Sequence, residues 1–418
     1  MYLKFILIAT FLILSIDIYY YRALKSFIKN YSSVLRKTLK ISYWIFTLST
    51  IVFMFFAASY FLDQTPPPKF ARTYIMGVIM IIGASKLLGT AFILIHDIVQ
   101  FIIWIINKTP SKQESAENKI PLSRIDFIKK TALIASIIPF STLMFGVLKS
   151  AFDYTIHNQK LKIPNLPNAF KGLKIVQVSD IHSGSFISTE PLEKAIKMIT
   201  DEKPDIIFFT GDLVNEITEE ALPFMDTLSK IKAPMGVFSI LGNHDYGDYF
   251  YQKDDLEGKK HNYDLMKAVH NKLGWNLLLN ENHIIKKDNE RLAILGVENW
   301  GSELRFPKLG DIDKAKSGCL EEDVKLLLSH DPTHWDAHVL PNHPDIAATF
   351  SGHTHGMQFG VEIPGFKWSP SQYIYKNWAG LYAEKGQQLY VNRGLGFLGY
   401  PGRVGILPEI TVFTLYEG

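Results

Sequence analysis

Apolar residues are spread unevenly along this chain. Four long apolar runs, near residues 3–21, 41–62, 74–106 and 131–148, fill the first third, and shorter apolar segments separated by polar clusters fill the rest. A run of about 18 or more apolar residues with few charges is long enough to cross hydrocarbon as a helix. A helix that is apolar all round does not suit a water-facing position. The pattern therefore predicts an all-α transmembrane region of about four helices over residues 1–153. The third run is too long for one straight span, and Lys86, His96 and Asp97 interrupt it. It predicts a spanning helix near 74–95 with an amphipathic or tilted continuation. Those three ionisable residues are read as snorkelling or interfacial. The first run carries Lys4 but no clear small-x-small cleavage site, and three more apolar runs follow. It is read as a retained helix, not a cleaved signal peptide.

After residue 153 the pattern changes. A polar linker, 154–167, holds Pro164 and Pro167. Short apolar, β-branched segments then predict strands at 173–178, 205–209, 236–241, 283–287, 292–297, 324–328, 346–350, 389–391 and 410–415. Helical spacing covers 191–200, with Thr189 as a candidate N-cap, and also 219–229 and 262–273. Early alternation of strand and helix argues for α/β layering. The strand-rich later half argues for mixed sheets. Residues 154–418 are read as one soluble domain.

Charge narrows the picture. The 418 residues carry a formal net charge of only +3, with 20% charged, so no basic stripe or patch marks a nucleic-acid binder. Cys319 is the only cysteine, which excludes a disulfide framework and a thiolate metal cluster. It sits in Lys-Ser-Gly-Cys-Leu with no partner for nucleophilic work and is read as inert.

The basic residues also predict orientation. The loop after the first run holds Arg22, Lys25, Lys29, Arg36, Lys37 and Lys40; that after the third holds Lys108, Lys112, Lys119, Arg124, Lys129 and Lys130. The second loop has only Lys69 and Arg72 beside three prolines. The first and third loops are thus cytoplasmic, and the C-terminal domain is extracytoplasmic. Residues 123–129 resemble a twin-arginine export signal, with Ile125 in place of the second arginine. The plainer reading is a basic flank before a spanning helix, and both put the domain outside.

The chemistry lies where the predicted strands end. Five polar clusters follow apolar segments: Asp180-Ile181-His182, Gly211-Asp212, Gly242-Asn243-His244-Asp245, His330-Asp331 and Gly352-His353-Thr354-His355-Gly356. Ligands of layered α/β folds gather beyond the carboxyl ends of strands. Carboxylates and neutral imidazoles suit divalent zinc, manganese or iron. In Asp-x-His and His-x-His, alternate residues point the same way if the backbone is extended. Glycines beside them allow tight turns and close approach. Each cluster alone is an ordinary turn or strand end; the ordered series supplies enough donors for two metals.

That series resembles the calcineurin-like metallophosphoesterase superfamily from residue 173 onward. The resemblance implies a four-layer αββα sandwich of two mixed sheets. It implies that Asp180, His182 and His355 hold one metal, that Asn243, His330 and His353 hold the other, and that Asp212 bridges both. His244 would face the substrate and stabilise or protonate the leaving oxygen. The reaction implied is hydrolysis of phosphomonoesters or phosphodiesters by a metal-bound hydroxide.

Departures narrow the substrate. Protein phosphatases of the superfamily continue the second block as Gly-Asp-x-Val-Asp-Arg-Gly, whereas this chain reads Gly211-Asp212-Leu213-Val214-Asn215-Glu216-Ile217. The aspartate that supports the histidine is Asn215 here, which argues against a protein phosphatase and leaves the orientation of His244 open. Residues 391–396, Arg403 and Pro408-Glu409-Ile410 resemble the bacterial membrane-associated branch, some of whose members act on a nucleotide-linked acylated glucosamine. Arg393 and Arg403 are candidates to bind substrate phosphate, with a structural role as the alternative. His334, His338 and His343 are read as surface histidines, with a metal cluster as the alternative. Trp368, Tyr373, Tyr375, Trp378 and Tyr382 are read as packing or membrane-interface residues, or as lining a substrate groove.

The reading is a membrane-anchored, dinuclear metal-dependent phosphoesterase of a bacterial membrane with a phosphate-ester substrate, plausibly lipid-linked. The enzymatic alternative is a pyrophosphate hydrolase acting on a nucleotide-sugar lipid. A non-catalytic metal-binding membrane sensor is disfavoured because the whole donor set and His244 are present. A transporter is disfavoured by few buried charges and no repeat.

Overall fold

The computed structural model describes residues 2–62, 70–108, 122–302 and 308–418. It divides into two compact units, Met1–Phe145 and Gly146–Gly418.

The first unit is helical: α1 (Tyr2–Phe27), α2 (Ser33–Leu62), α3 (Met76–Lys108) and α4 (Leu122–Leu148). Among the described residues, four helical stretches are long and apolar enough to cross a membrane: Leu7–Asn30, Ser33–Phe56, Thr73–Ile105 and Ile134–Phe152. Large apolar side chains such as Phe11, Leu48 and Phe101 are exposed on them, as expected of surfaces that face lipid. The basic side chains at 69, 72 and 108–130 that entered the orientation reading lie outside the described side chains.

The third run holds Lys86 in a way the sequence pattern does not show. It forms one unbroken 33-residue helix, about 50 Å long at 1.5 Å per residue, with no change of character at Lys86. The reason is a partner on α1. Lys86 does not snorkel: its Nζ lies 2.8 Å from Asp17 Oδ1, with the two side chains 14% and 3% exposed. Thr47 donates to the other Asp17 oxygen, and the Tyr43 hydroxyl donates to the Asp17 carbonyl at 2.9 Å. A buried charge needs such a partner set, and here it ties α1, α2 and α3 together. His96 is also buried, while Asp97 accepts from the Tyr19 hydroxyl at 2.7 Å.

The described residues of the second unit form fourteen strands: β1 (Thr155–Ile163), β2 (Lys174–Val178), β3 (Ile206–Phe209), β4 (Val237–Ser239), β5 (Asn276–Leu277), β6 (Glu281–Lys287), β7 (Glu290–Gly296), β8 (Val324–Leu328), β9 (Ile346–Ser351), β10 (Val361–Ile363), β11 (Phe366–Trp368), β12 (Gly380–Glu384), β13 (Gln387–Val391) and β14 (Glu409–Glu417). One six-stranded sheet runs β1-β14-β2-β3-β4-β5 and the other β12-β13-β9-β8-β7-β6, with β10 and β11 as a separate hairpin. Both sheets are mixed. In the first, β14 is antiparallel to β2 but parallel to β1. In the second, β6 and β12 run antiparallel to their neighbours.

Side chains alternate across a strand, and that sorts the core into three layers. Ile175, Ile206, Phe208, Leu292, Ile294 and Leu326 point between the sheets. Their neighbours Val176, Ile207 and Phe209 point outward beneath α5 (Glu190–Asp201), α6 (Met225–Leu228) and α7 (Leu256–Leu273). Ala293, Leu295 and Leu327 point outward on the other side, beneath Ile312, Trp335 and Val339. The result is the αββα sandwich. Strands buried on both faces read as continuous apolar runs, which is why their sequences are so legible.

The apolar pattern does not show β5, β10, β11 and β12, and three further elements differ from expectation. The polar linker is in fact β1, an edge strand paired residue for residue with β14. Only Leu161 and Ile163 in it are buried, so it shows too little alternation to read as a strand. Helix α7 starts six residues before the predicted 262, capped by the Asp255 carboxylate, which accepts from Gly258 N at 2.9 Å. The helix expected over 219–229 is mostly a 3-10 segment, Thr218–Phe224, holding Pro223, with one short α turn after it.

Candidate metal centre

β2, β3 and β4 are mutually parallel, as are β8, β9 and β13. Each strand therefore delivers its following loop to one edge of its sheet. Asp180 and His182 follow β2, Asp212 follows β3, and Asn243 and His244 follow β4. His330 follows β8, and His353 and His355 follow β9.

The two edges meet. His355 Nε2 lies 3.2 Å from Asp180 Oδ1 and 3.0 Å from His182 Nε2. On the other side, His353 Nδ1 lies 2.8 Å from Asn243 Oδ1. Asp212 stands between: its Oδ2 is 3.7 Å from His182 Nε2 and 3.1 Å from His330 Nε2. Asp180, His182 and His355 form one donor group fit to hold a metal ion, and Asp212, His330 and His353 form a second.

The backbone is bent to make these groups. Asp180, His182, Asp212, His353 and His355 all have φ between +48 and +71°. Non-glycine residues rarely adopt that region, and such strain clusters at functional sites. Glycines supply the remaining room. A Cβ on Gly242 would fall 2.2 Å from Asp212 Oδ1, and one on Gly352 would fall 2.2 Å from Asp180 Oδ2.

The donors also have the right chemistry for a cation. His182 Nδ1 faces the Val214 carbonyl at 3.1 Å, and His330 Nδ1 faces the Thr210 carbonyl at 2.7 Å. A carbonyl only accepts, so each Nδ1 carries the proton and each Nε2 turns toward the carboxylates, the arrangement that orients metal-ligating histidines. His330 is fully buried, and its Nε2 faces Asp212 Oδ2 at 3.1 Å. Burial opposes the charged form of His330, yet the Asp212 carboxylate outweighs it and pushes the imidazole up to about 10. Burial also raises the Asp212 carboxyl, but the charges of His330 and His244 hold it well below the usual range. Burial, with His355 beside it, pushes the His182 imidazole down to about 3, which keeps it in the neutral form a metal ligand needs.

Sequence reasoning left open how His244 is held. Its Nδ1 lies 2.5 Å from the backbone carbonyl of Asn215, so the main chain replaces the missing aspartate. The ring stacks on Tyr249 at 4.2 Å, and the backbone N–H of His244 donates to Asp212 Oδ1 at 2.9 Å.

Asp245, the last residue of the third cluster, has a role the local sequence does not announce. It is fully buried and accepts from the backbone N–H groups of Asp212, Leu213 and Gly242 at 2.8–2.9 Å. It thereby locks the loops after β3 and β4 to each other. Tyr375, read as one of five aromatics, sets its hydroxyl 3.0 Å from His353 Nε2. Trp378 and Tyr375 pack with Ile406. His334 is buried and stacked on Trp300 at 4.5 Å and on His338 at 5.5 Å, a packing arrangement.

Arg393 and Arg403 do not stand open to a substrate. Arg393, 3% exposed, pairs with Glu409 and Glu362. Arg403 is fully buried and donates to the carbonyls of Arg393, Gly394 and Gly396 at 2.6–3.1 Å. Both brace the loop after β13, which lies against Asp180 through Gly396 N donating to the Asp180 carbonyl at 2.8 Å. Both guanidinium groups take the structural role that is the alternative to phosphate binding, since arginine chemistry suits both.

The brace has a measurable consequence. Burial raises the Glu409 carboxyl, but Arg393 outweighs it and holds it at about 2, against an ordinary value of 4.5. This depressed group gives stability that is complete above pH 4.5 and lost as pH falls toward 2. Its size is roughly 3 kcal/mol, from about 1.36 kcal/mol per unit. Glu409→Gln is expected to remove that acid limb from thermal unfolding of the purified chain and to lower stability at pH 7 by about 3 kcal/mol, because Arg393 stays buried with one partner fewer.

Known proteins place the chain. Residues 3–151 match the family model described as probable calcineurin-like phosphoesterase, transmembrane domain. Residues 173–357 match the model described as calcineurin-like phosphoesterase. An uncharacterized metallophosphoesterase, YkuE, of Bacillus subtilis is 32% identical over 61% of this chain and 83% of its own length. The chain belongs to the calcineurin-like phosphoesterases. A transmembrane protein with metallophosphoesterase domain of Danio rerio is 26% identical over 79% of this chain and 74% of its own. A UDP-2,3-diacylglucosamine pyrophosphatase, LpxG, of Chlamydia trachomatis is 29% identical over 56% and 81%. This phosphoesterase is therefore a metal-dependent hydrolase with a membrane region, and its family uses divalent metals.

Proposed function

We propose that residues 154–418 hydrolyse phosphomonoesters or phosphodiesters at two divalent metals, manganese, zinc or iron, while residues 1–153 fix the enzyme in a bacterial membrane as a multi-pass region. Asp180, His182 and His355 hold one ion, Asn243, His330 and His353 the other, and Asp212 joins them. The observation that carries this is the position of Asp212 Oδ2, between His182 Nε2 and His330 Nε2 at 3.7 and 3.1 Å.

Bound there, the ions would supply Lewis acidity and lower the pKa of water. The protein's own groups do the rest. Nδ1 of His182 and of His330 is held by a carbonyl, so both rings keep their orientation. His244, pinned through Asn215, presents Nε2 to the leaving oxygen. Asp245 keeps the loops bearing Asp212 and His244 in register. Asn215 stands where protein phosphatases of the superfamily carry aspartate, and no arginine follows it, so a protein substrate is disfavoured.

A lipid-linked substrate is supported by the membrane region and by the name of the Chlamydia trachomatis relative. That name also favours a second reading, cleavage of a pyrophosphate in a nucleotide-sugar lipid. That substrate places the active site on the cytoplasmic side. The basic residues after the first apolar run favour an extracytoplasmic domain instead, so reporter fusions at the C-terminus separate the two.

The test is hydrolysis of bis-p-nitrophenyl phosphate and p-nitrophenyl phosphate by the detergent-purified full chain, with manganese, with zinc and with chelator. Turnover that requires metal is expected, and the preferred ester gives the substrate class. A protein that binds two metals yet turns over neither ester nor pyrophosphate would be a sensor, and the proposal would fall.

A further inference from the structure

The hairpin β10–β11 grows out of the site. It leaves the chain just after His355 and returns to Tyr375, whose hydroxyl lies 3.0 Å from His353 Nε2. Ser369 at its end donates to the Gly356 carbonyl at 2.7 Å, so the hairpin's base is fastened to the loop that bears both histidines.

Its two faces are inverted. The register pairs Val361 with Trp368, Glu362 with Lys367, and Ile363 with Phe366. Opposed and alternate residues of an antiparallel pair share a face. One face is thus Val361, Ile363, Phe366 and Trp368, and the other is Glu362 and Lys367. The charged face makes contacts with the protein while staying exposed: Glu362 pairs with Arg393, and Lys367 donates to the Ala379 carbonyl and lies 4.9 Å from the Tyr382 ring centroid. Three of the four apolar side chains stand open, with Val361 44%, Ile363 57% and Phe366 55% exposed, while Trp368 is half-buried. Phe359 before the hairpin, and Tyr373 and Ile374 after it, are exposed as well. A lone exposed leucine needs no explanation, but a continuous apolar patch does. Here the charges that would have kept a hairpin soluble anchor it instead.

We propose that this face binds the hydrocarbon chain of an amphiphilic phosphoester whose phosphate sits in the metal centre. The proposal rests on the phosphoesterase reading above. The occupant is argued from place and chemistry. The hairpin's root is the ligand loop itself, so a chain lying on it belongs to a molecule already held at the site. The face offers only aliphatic and aromatic surface, with both of its charges engaged elsewhere, so it suits an alkyl or acyl chain and not a sugar or a peptide.

The test uses the full chain in one detergent and p-nitrophenyl phosphodiesters that differ only in the second ester: methyl, hexyl or dodecyl. The reacting group is constant, so kcat/KM against chain length reads the chain alone. The wild-type dodecyl-to-methyl ratio is expected to reach roughly 30-fold, since each buried methylene adds to binding. In the double variant Ile363→Ser with Phe366→Ser, the ratio is expected to fall to about threefold or less. Each protein serves as its own reference, so a general loss of folded enzyme cancels. Micelle partition acts on both proteins alike, so an equal chain-length gain in both overturns the proposal, as does a flat series in the wild type. Patch-dependent dimerisation of the wild type, with no chain-length preference, identifies a second copy as the occupant and overturns it too. If no diester reacts with any metal, it is the phosphoesterase reading that fails.

Discussion

Asp212→Asn is expected to lower kcat by about 10³-fold or more and to reduce bound metal from two ions per chain. The magnitude follows from the position of one oxygen. Asp212 Oδ2 lies 3.7 Å from His182 Nε2 and 3.1 Å from His330 Nε2, which belong to different donor groups, so it is the donor that two ions would share. Metal charge stabilises a phosphoryl transition state by several kcal/mol, and about 4 kcal/mol corresponds to roughly a thousandfold in rate. Asparagine is the informative replacement. Asp212 has φ of 58°, a conformation asparagine tolerates and alanine does not, so Asp212→Ala would add backbone strain. The amide also keeps an oxygen for the His244 N–H that Oδ1 now accepts at 2.9 Å. What asparagine removes is the negative charge and one acceptor. Metal analysis of the purified variant beside its kcat is the check. Two tightly held ions with undiminished turnover would show that Asp212 is not the shared ligand.

The donor residues were legible because each depends on a short piece of chain. An apolar strand ends, a glycine turns, and a carboxylate or imidazole follows. That logic marks the clusters holding Asp180, His182, Asp212, Asn243, His330, His353 and His355 as candidate donors, while their separate roles and the two-sheet sandwich come from the resemblance to the superfamily. What stayed hidden depends on partners distant in sequence. Lys86 looked like an interruption until Asp17 was seen 2.8 Å away. Arg393 and Arg403 looked like phosphate ligands until Glu409, Glu362 and three carbonyls were found around them. Asp245 sits in plain view in a cluster, but its role is to hold backbone N–H groups more than thirty residues upstream, which no local pattern announces. β1 was hidden for a different reason. An edge strand buries little, so its polar residues carry no period-two signal.

His244→Ala is expected to cost about 10²–10⁴-fold on alkyl phosphoesters, the usual contribution of a positioned general acid, and much less on p-nitrophenyl esters. The geometry sets this expectation. A carbonyl can only accept, so the 2.5 Å contact with Asn215 O fixes the proton on His244 Nδ1. Nε2 is then the nitrogen that faces outward and exchanges the second proton. Stacking on Tyr249 at 4.2 Å and an edge contact with His182 at 5.0 Å hold the ring plane. An alkoxide leaves poorly unless it is protonated as the bond breaks, whereas p-nitrophenolate leaves without that help. The loss in kcat should therefore grow as the leaving group becomes more basic, with KM moving little. His244→Gln, which can donate a hydrogen bond but cannot deliver a proton, should recover part of the loss on p-nitrophenyl esters and almost none on alkyl esters. A loss that is the same for every leaving group would mean that His244 orients or stabilises charge and is not the acid. In that case the close hold by Asn215 would serve only to keep the ring in place beside Asp212.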